Sequence, residues 1–523
     1  MCCQVVFGSE TECALVVRDR RGSVIPVHAD LAAAVVENLV IQFDYLPSQP
    51  PTQRLFLANG ACIYADLGGH PEIATAECSN PIEFGAHTIA MRRALARSVE
   101  AIGRNFNGLN LSLFANNIDY AIGGAQTFGY HLNIHLKSLS REKAAFQLSP
   151  LLVSMPIISG TGKVSFSKDA KGFELSQRAV YMNGGLLGEY TTDSRAMITA
   201  KDESLSDSGT RLHIICLDTP KSIYQLVLVP AILAMTIQVL EESGQDIADT
   251  FELSRPDMAL QQVSLDPSLS AKLKTKCGDS VTALDIQEHY VSTVSKFFEN
   301  KSKPDWAGSI LALWREILQN LRKNPFLEVH RLDWIRKLVL FTQLLEQEGL
   351  TWREFSKWSG FILPSVRRMM ATWRDLDPVS LSRSGDVRLQ QSVMGVLEAY
   401  LVRDKLSWTD FPRIWKTTNR MCSMCLHYHQ VTCDENRLNE KPFDVKIPLS
   451  KQMIERAMTC PPSGTRAQVR GNTIKDAPDG TTAGWDFIRY KNGKELSMVD
   501  PWGKNAIWKK QESSGKKESV RCS

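Results

Sequence analysis

The sequence predicts an α+β protein in which a sheet-forming part is followed by a helical part. Alternation of apolar and polar residues, typical of half-buried strands, recurs through about the first 220 residues. Helical apolar spacing then dominates to about residue 435, and short alternating runs bounded by glycines return after it. A chain of 523 residues is also too long for one ordinary hydrophobic core.

These changes of pattern divide the chain into four parts. We expect a core over residues 1–300, a helical part over 301–435 and a small β-rich C-terminal domain over 436–508. Extra helices are expected at about 345–420, and the Ser-, Lys- and Glu-rich tail 509–523 is expected to be disordered. The tryptophans of the helical part have irregular spacing, which favours core positions over a stacking surface.

The composition is that of a soluble globular protein, with 43% hydrophobic and 23% charged residues. A net charge of +4 on this length does not argue for nucleic acid or a membrane surface as partner. The 12 cysteines are scattered, and we recognise no cleavable leader, so a cytoplasmic location is expected. The longest apolar stretch, 226–240, contains a proline and predicts a buried helix.

Residues 4–15 predict a first strand that carries an acid pair. Glu10 and Glu12 are two residues apart, so both side chains point to the same face of the strand. A buried and unpaired acid pair is costly, which suggests a metal or a cationic partner. A solvent-exposed face is the alternative.

Residues 59–80 contain the densest polar pattern. Alternation places Cys62, Tyr64 and Asp66 on one face of a short strand, and a glycine turn and a proline lead to Glu72. Carboxylates and a phenol that face one space can hold a hard cation and leave one base free. From spacing alone, an edge strand with a solvated polar face is equally compatible.

Strands predicted later in the chain carry histidines and arginines on their polar faces. The strand predicted over 129–136 presents His131, and Arg211 and His213 share a face of another strand. Arg178 stands beside a third predicted strand. Arginine forks suit phosphate oxygens, although surface ion pairing is the commoner role of a single arginine. Together, these strands have the pattern of a sheet with an active site on one face.

Two further motifs are incomplete. Residues 159–163, Ser-Gly-Thr-Gly-Lys, lack the first glycine and the final Ser or Thr of a phosphate-binding loop, and predict a strand connection. Cys422 and Cys425 are followed by two histidines and a third cysteine, but this spacing is too compressed for a standard zinc site. Ordinary buried thiols are therefore favoured there.

The run Asn-Gly-Ala-x-x-Tyr-x-Asp-x-Gly-x-His-Pro-Glu-x-Ala-Thr-Ala-Glu-Cys at 59–78 closely resembles the Pup ligase and Pup deamidase/depupylase family. The resemblance spans most of the chain, including Gly-Ser-Glu-Thr-Glu at 8–12 and Thr-Arg-Ala-x-x-Arg-Gly at 465–471, and is weak at about 345–420. It implies a glutamine-synthetase-like fold: a curved antiparallel sheet packed with helices, with a C-terminal domain that contributes to the nucleotide site.

The resemblance also implies a metal site. The residues that match the family's magnesium ligands, or lie around its metals and phosphates, are Glu10, Glu12, Tyr64, Glu72, His131 and His213.

Further roles follow from the same resemblance. Asp66 matches the catalytic base, and Thr75 and Trp485 match residues that contact ATP. Arg178 and Arg211 are expected near the transferring phosphoryl group. The implied activity is an ATP- and magnesium-dependent ligase, which joins the C-terminal glutamate of a small ubiquitin-like, Pup-like modifier to substrate lysines through an acyl phosphate.

The ligase branch is favoured over the depupylase branch. Depupylases of the family carry a long loop before the central motif, for which the linker 43–56 is too short. A depupylase or deamidase, or a nonenzymatic regulator, remains the alternative.

Three departures from the family pattern indicate a divergent member. Cys62 stands where the family has an ATP-contacting arginine, Leu132 replaces an acid, and Gln430 follows His429 where the ligases have Asp. Position 62 is therefore expected at the nucleotide, but without a cation. A different modifier or a small amine acceptor is one interpretation of these changes.

Overall fold

The computed structural model describes most of the chain. The described residues are 5–20, 24–25, 29–50, 53–66, 68–105, 109–119, 127–165, 172–190, 194–201, 206, 209–248, 251–299, 301–359, 411–433 and 447–510.

Strands dominate the first 220 residues and the C-terminal part. In chain order they are β1 (Phe7–Glu12), β2 (Ala14–Arg18), β3 (Val24–Ile25), β4 (Tyr45–Pro47), β5 (Leu55–Leu57), β6 (Cys62–Ala65), β7 (Pro71–Ala74), β8 (Asn110–Phe114), β9 (Tyr130–Leu136), β10 (Lys163–Val164), β11 (Phe173–Glu174), β12 (Leu187–Gly188), β13 (Ile198–Thr199), β14 (Thr210–Ile214), β15 (Leu273–Lys274), β16 (Ser280–Val281), β17 (Gln430–Val431), β18 (Thr482–Ala483), β19 (Phe487–Arg489), β20 (Lys494–Ser497) and β21 (Ile507–Lys510).

Helices are concentrated after residue 220. They are α1 (Ala29–Val40), α2 (Pro81–Asn105), α3 (Arg141–Ser154), α4 (Pro156–Ser159), α5 (Ile223–Ser243), α6 (Pro256–Ser264), α7 (Ala283–Glu299), α8 (Ala307–Lys323), α9 (Asp333–Gln347), α10 (Trp352–Ser359), α11 (Phe411–Tyr428), α12 (Lys451–Thr459) and α13 (Arg466–Lys475), with short 3-10 helices at Ala179–Tyr181 and Pro325–Glu328.

A nine-stranded sheet organises the N-terminal part, with strand order β12-β13-β14-β9-β1-β7-β6-β5-β4. The pairings from β13 to β4 are antiparallel, as predicted, but β12 and β13 at one edge are parallel. The sheet is therefore mixed rather than purely antiparallel. The α+β fold class is confirmed.

The single first strand predicted over 4–15 is wrong. The chain forms two strands there, β1 in the nine-stranded sheet and β2 in a four-stranded sheet of order β17-β8-β2-β3. The break falls at Cys13, whose buried N–H donates to the Pro71 carbonyl at 3.0 Å. The acid pair stays in β1, and both acids point to the same face as predicted.

The apolar core centres on α5, as the stretch 226–240 predicts. By length and composition alone α5 could cross a membrane, but 94% of its apolar window is buried within the protein. One continuous core cluster includes the main sheet and helices on both sides of residue 300, with Trp314 and Trp334 fully buried. The helical part therefore shares its core with the sheet. Trp306, Trp314 and Trp334 are core residues as predicted, and Trp352 is partly buried against the same core.

The C-terminal part contains an antiparallel sheet of order β18-β19-β20-β21 together with α12 and α13. A separate apolar cluster joins it to the main sheet, because Phe56 and Cys62 pack with Ile474 and Ile488. The boundaries of the proposed domains stay predictions. Most of the predicted insertion, 360–410, and the tail beyond Lys510 lie outside the described residues, whereas residues 509–510 belong to β21 rather than to a disordered tail.

Candidate active site

Antiparallel register places the predicted acids and histidines in adjacent rows across the main sheet. Glu12 of β1 lies opposite Glu72 of β7, which in turn lies opposite Tyr64 of β6. In the next row, Glu10 lies opposite His131 of β9. Directly opposed residues point to the same side of a sheet. The sheet therefore gathers residues from four strands on one face.

The first group of potential cation ligands contains Glu10, His131 and His213, whose ligand atoms lie within 4.8 Å of one another. Glu10 Oε2 lies 3.2 Å from His131 Nδ1 and 3.5 Å from His213 Nε2. On the other side of its ring, His213 Nδ1 lies 2.6 Å from Thr199 Oγ1, which fixes the ring orientation. Asn133, which the sequence analysis did not assign to the site, donates to Glu10 Oε1 at 3.2 Å.

The second group contains Glu12, Asp66 and Glu72, again with ligand atoms within 4.8 Å of one another. Glu12 Oε2 accepts a hydrogen bond of 2.6 Å from the Gly129 N–H, which orients this carboxylate. Three carboxylates so close together repel one another when ionised. A hard divalent cation, which prefers oxygen ligands, would remove this repulsion.

Charge and burial show how closely the two groups interact. Burial, then the charges of Glu10 and Glu12, raise the pKa of Glu72 well above its ordinary value. Burial also acts to raise the pKa of Glu10, but hydrogen bonds from His131 and His213 hold it well below its ordinary value. Burial and the neighbouring Glu72 raise the pKa of the Tyr64 phenol, which is therefore neutral in this setting. These donors fit a site for divalent cations.

Asp66 follows β6 and is held by His70 across the glycine turn. Its Oδ1 accepts the His70 backbone N–H at 2.7 Å, and its Oδ2 lies 3.2 Å from His70 Nδ1. Burial opposes ionisation, but these bonds lower the pKa of Asp66. The turn requires glycine, because a Cβ at Gly68 would come within 2.7 Å of the His70 ring and Gly69 has a φ of 75°. Residue spacing alone gives no signal for this role of His70.

The two predicted arginines differ in position. Arg211 Nη1 lies 3.8 Å from Glu10 Oε1, so its guanidinium is part of the site. Arg178 is buried, and its guanidinium donates to the carbonyl oxygens of Ile215 and Phe128 at 2.8 and 2.5 Å and to Thr127 Oγ1 at 3.2 Å. Arg178 thus holds the backbone next to Gly129 rather than extending freely towards the metal groups.

The three residues predicted to contact the nucleotide differ in how deeply they are buried. Thr75 is buried, and its Oγ1 accepts a 2.9 Å hydrogen bond from the Ser9 N–H. Trp485 is half-buried and packs edge to face on Phe56, with 5.3 Å between ring centres. Cys62 is fully buried in the apolar cluster beneath them, where burial raises the pKa of its thiol to about 12.

This burial corrects the prediction for Cys62. A neutral thiol with no exposed surface offers a nucleotide no direct contact in this arrangement. The physical reason is that the C-terminal domain covers β6 at this point.

The incomplete motifs have structural roles. Lys163 forms a buried ion pair with Glu174 at 3.1 Å, so residues 159–163 do not form a phosphate loop. Cys422 and Cys425 are buried, as favoured above. Across the described residues, the potential metal-binding groups are the two groups on the main sheet.

Fold and site together define the class: an α+β protein whose main sheet carries two groups of carboxylate and histidine ligands beside a candidate base. The family model for Pup-ligase protein matches residues 6–388 and 393–489. A Pup--protein ligase of Acidimicrobium ferrooxidans is 33% identical over 469 residues, which cover 86% of this chain and 87% of that protein. The chain therefore belongs to the Pup-ligase protein family, which confirms the resemblance.

Other relatives match over a shorter length. A Pup deamidase/depupylase of Mycolicibacterium smegmatis is 31% identical over 305 residues, 57% of this chain, and the match spans only 60% of that relative. Among solved structures, a complex between the prokaryotic ubiquitin-like protein Pup and its ligase PafA matches with a TM-score of 0.70 and 21% identity. It covers 95% of this chain and 89% of that chain, and supports the fold.

Proposed function

We propose that this protein is an ATP-dependent ligase that joins the side-chain carboxylate of the C-terminal glutamate of a small, Pup-like modifier to lysine amines of other proteins. The observation that carries the proposal is the placement of Asp66, a candidate base, within 4.8 Å of the carboxylates of Glu12 and Glu72, next to the group of Glu10, His131 and His213. Similarity to a Pup--protein ligase over 86% of the chain favours ligation. A similar solved structure contains Pup with its ligase, and another contains ADP.

The donors fit two magnesium ions. Glu12 and Glu72 would offer carboxylate oxygens to one of them, with the neutral Tyr64 phenol beside them, and Glu10, His131 and His213 would hold the other. Asp66, whose carboxylate lies within 4.8 Å of those of Glu12 and Glu72, would stay free to act as a base. Bound magnesium would neutralise the phosphate oxygens of ATP during phosphoryl transfer.

The first step moves the γ-phosphoryl group of ATP to the glutamate carboxylate of the modifier, and forms an acyl phosphate and ADP. Arg211, beside Glu10, would offset the charge that develops on the transferring group. Arg178 would act on this step indirectly, because it fixes the backbone at Thr127 and Phe128 next to the strand that carries His131.

The second step forms the isopeptide bond. A lysine amine is protonated near neutral pH and must lose a proton to attack. Asp66 would accept that proton as the amine attacks the acyl carbon, and phosphate would leave with the electrons of the broken C–O bond. His70, which contacts both carboxylate oxygens of Asp66, would hold the carboxylate in position.

The nucleotide would bind between the main sheet and the C-terminal domain, against the half-buried Trp485. The hydroxyl of Thr75, which accepts from Ser9, can still donate one hydrogen bond to a bound group. The 12 cysteines are scattered through the sequence without the spacing of a disulfide framework, which favours the cytoplasmic location that we include in the proposal.

A conjugation assay tests the proposal. Purified protein, ATP, magnesium and a Pup-like modifier ending in glutamate should yield a conjugate of higher mass with a lysine-bearing protein. Asp66→Asn should lose at least about a hundredfold in rate, the scale expected for general base catalysis, while its circular dichroism stays that of the wild type. Wild-type activity in Asp66→Asn would show that the base is another residue.

The depupylase alternative predicts a different outcome. Release of free modifier from a preformed conjugate, without net ATP turnover, would replace the ligase proposal by a hydrolase. Calorimetry that detects no ATP binding at millimolar magnesium would instead favour a nonenzymatic regulator.

A further inference from the structure

The row that contains Glu12, Glu72 and Tyr64 continues onto one more strand. In the pairing of β5 with β6, Leu55 lies opposite Ile63 and Phe56 opposite Cys62. Continuing this register places Arg54 opposite Tyr64 and on the same side of the sheet. The guanidinium carbon of Arg54 accordingly lies 5.1 Å from the centre of the Tyr64 ring.

Arg54 directly precedes β5, a strand of the main sheet that packs against the C-terminal domain through Phe56. Phe56, two residues along the same strand, packs on Trp485 with 5.3 Å between ring centres. Phe56 and Trp485 belong to the cluster that closes over Cys62. Arg54 is half-buried, and its guanidinium lies over the Tyr64 ring at the end of the row that contains Glu12 and Glu72.

The charge of Arg54 is not neutralised by a carboxylate. In the part of the chain that the structure describes, its guanidinium stacks on Tyr64 but forms no ion pair. Cys62, two residues before Tyr64 on β6, is fully buried and supplies no charge. Arg211 contacts Glu10 at the opposite end of the polar rows, so it does not serve this side.

We propose that Arg54 binds the polyphosphate of the bound nucleotide. The inference rests on the proposed function and extends it to a specific nucleotide contact. A planar guanidinium can donate two parallel hydrogen bonds to phosphate oxygens while its face rests on an aromatic ring. The Tyr64 ring would hold the Arg54 guanidinium in place, so that less side-chain entropy is lost when the nucleotide binds.

Calorimetry on the full-length protein with magnesium tests this assignment, with ATP, ADP and adenosine as separate probes. Arg54→Ala should weaken binding of ATP and ADP at least about tenfold, but binding of adenosine less than about twofold, because adenosine has no phosphate. Arg54→Lys keeps the positive charge but not the planar pair of hydrogen-bond donors. Its affinity for ATP and ADP should therefore lie between those of the wild type and Arg54→Ala.

Arg489→Ala is the matched control. Arg489 also stacks on an aromatic ring, with 5.2 Å between its guanidinium carbon and the centre of the Phe487 ring, but it is ion-paired with Glu495. Its loss should leave all three affinities unchanged. Thermal unfolding of each variant verifies that the fold is retained.

The outcomes separate the inference from the proposed function. Equal affinity of the wild type and Arg54→Ala for ATP would overturn the inference and leave the ligase proposal standing. An equal loss for ATP and adenosine would also overturn it, since the effect would then not depend on the phosphates. No ATP binding by the wild type would contradict both.

Discussion

Thr75 illustrates how one side chain can serve both the fold and the site. Its Oγ1 accepts the Ser9 N–H and so ties β1 to the residue that follows β7, in a place where Thr75 is only 4% exposed. Thr75→Val keeps the shape of the side chain but leaves the Ser9 N–H buried without an acceptor. We expect a loss of about 1–3 kcal/mol in the free energy of unfolding, measured by urea denaturation.

Thr75→Ser is the control, because it keeps the hydroxyl and should stay within about 1 kcal/mol of the wild type. If Thr75→Val were as stable as the wild type, the hydrogen bond to Ser9 would contribute nothing to the fold. The same variants test whether the Thr75 hydroxyl also contacts the nucleotide. If Thr75→Val binds ATP more weakly than the wild type at a temperature where the variant is folded, the hydroxyl has this second role.

For single residues, the alternation of apolar and polar side chains predicts which residues share a strand face but not how deeply each is buried. Glu10 and Glu12 point to one side because strand geometry has a period of two residues. The burial of Cys62 depends instead on a domain more than 400 residues later in the chain. The inward orientation of Arg178 likewise depends on the carbonyl oxygens of Phe128 and Ile215, which only the folded chain brings within reach.

At the scale of elements, α13 is joined to the end of the central motif by a buried ion cluster. Glu77 Oε1 accepts from Arg466 Nε at 2.8 Å and from Arg470 Nη1 at 3.0 Å. Arg470 also donates to the carbonyl oxygens of Trp485 and Gly60 at 2.8 and 2.7 Å. The cluster therefore fixes Trp485 relative to the main sheet.

The cluster predicts a specific dependence of stability on pH. Burial acts to raise the pKa of Glu77, but the charges of Arg470 and Arg466 lower it from 4.5 to about 2. Because the folded-state pKa is below the unfolded value, the stabilisation is complete above about pH 4.5 and is lost as the pH falls towards 2. The shift corresponds to about 3 kcal/mol of unfolding free energy.

Urea unfolding of the wild type and Glu77→Gln at several pH values measures this contribution. At neutral pH Glu77→Gln should be less stable by about 3–5 kcal/mol, since two buried arginines lose their carboxylate. The difference between the two proteins should shrink as the pH falls from 4.5 to 2. A difference that does not change with pH would mean that the pKa of Glu77 is the same in the folded and the unfolded protein.

Helices were easier to predict than strand partners. The apolar stretch 226–240 lies within α5, because a continuous apolar run carries its own signal. The division of residues 4–15 between β1 and β2 has no such signal, since it depends on which distant strands each half joins. The parallel pairing of β12 with β13 is also set by long-range contacts alone.

For the whole molecule, the site is assembled from segments that are far apart in sequence. Glu10 lies opposite His131, while Arg211 and His213 come from β14, on the far side of β9. Alternation predicted a sheet with an active site on one face, and the family resemblance indicated which side chains belong to that site. Sequence spacing does not encode strand order, so neither the two metal groups nor the place of Arg54 beside Tyr64 could be derived from it.

The whole molecule should also respond to magnesium. Glu12, Asp66 and Glu72 lie within 4.8 Å of one another, and their mutual repulsion destabilises the free protein when they are ionised. Magnesium that binds the folded state should raise the melting temperature of the wild type, with a stabilisation of about 2.7 kcal/mol at a hundred times the Kd. Scanning calorimetry with and without magnesium measures this effect.

Glu72→Gln should change that response in two opposite ways. Without magnesium its melting temperature should exceed that of the wild type, because burial and neighbouring acids raise the pKa of Glu72 and make its ionisation unfavourable in the folded state. With magnesium it should gain little, because the site has lost a charged ligand, and conjugation should fail. Glu142→Gln, on the exposed face of α3, should behave as the wild type does. An equal magnesium response in Glu72→Gln and the wild type would exclude Glu72 as a ligand, whatever its effect on activity.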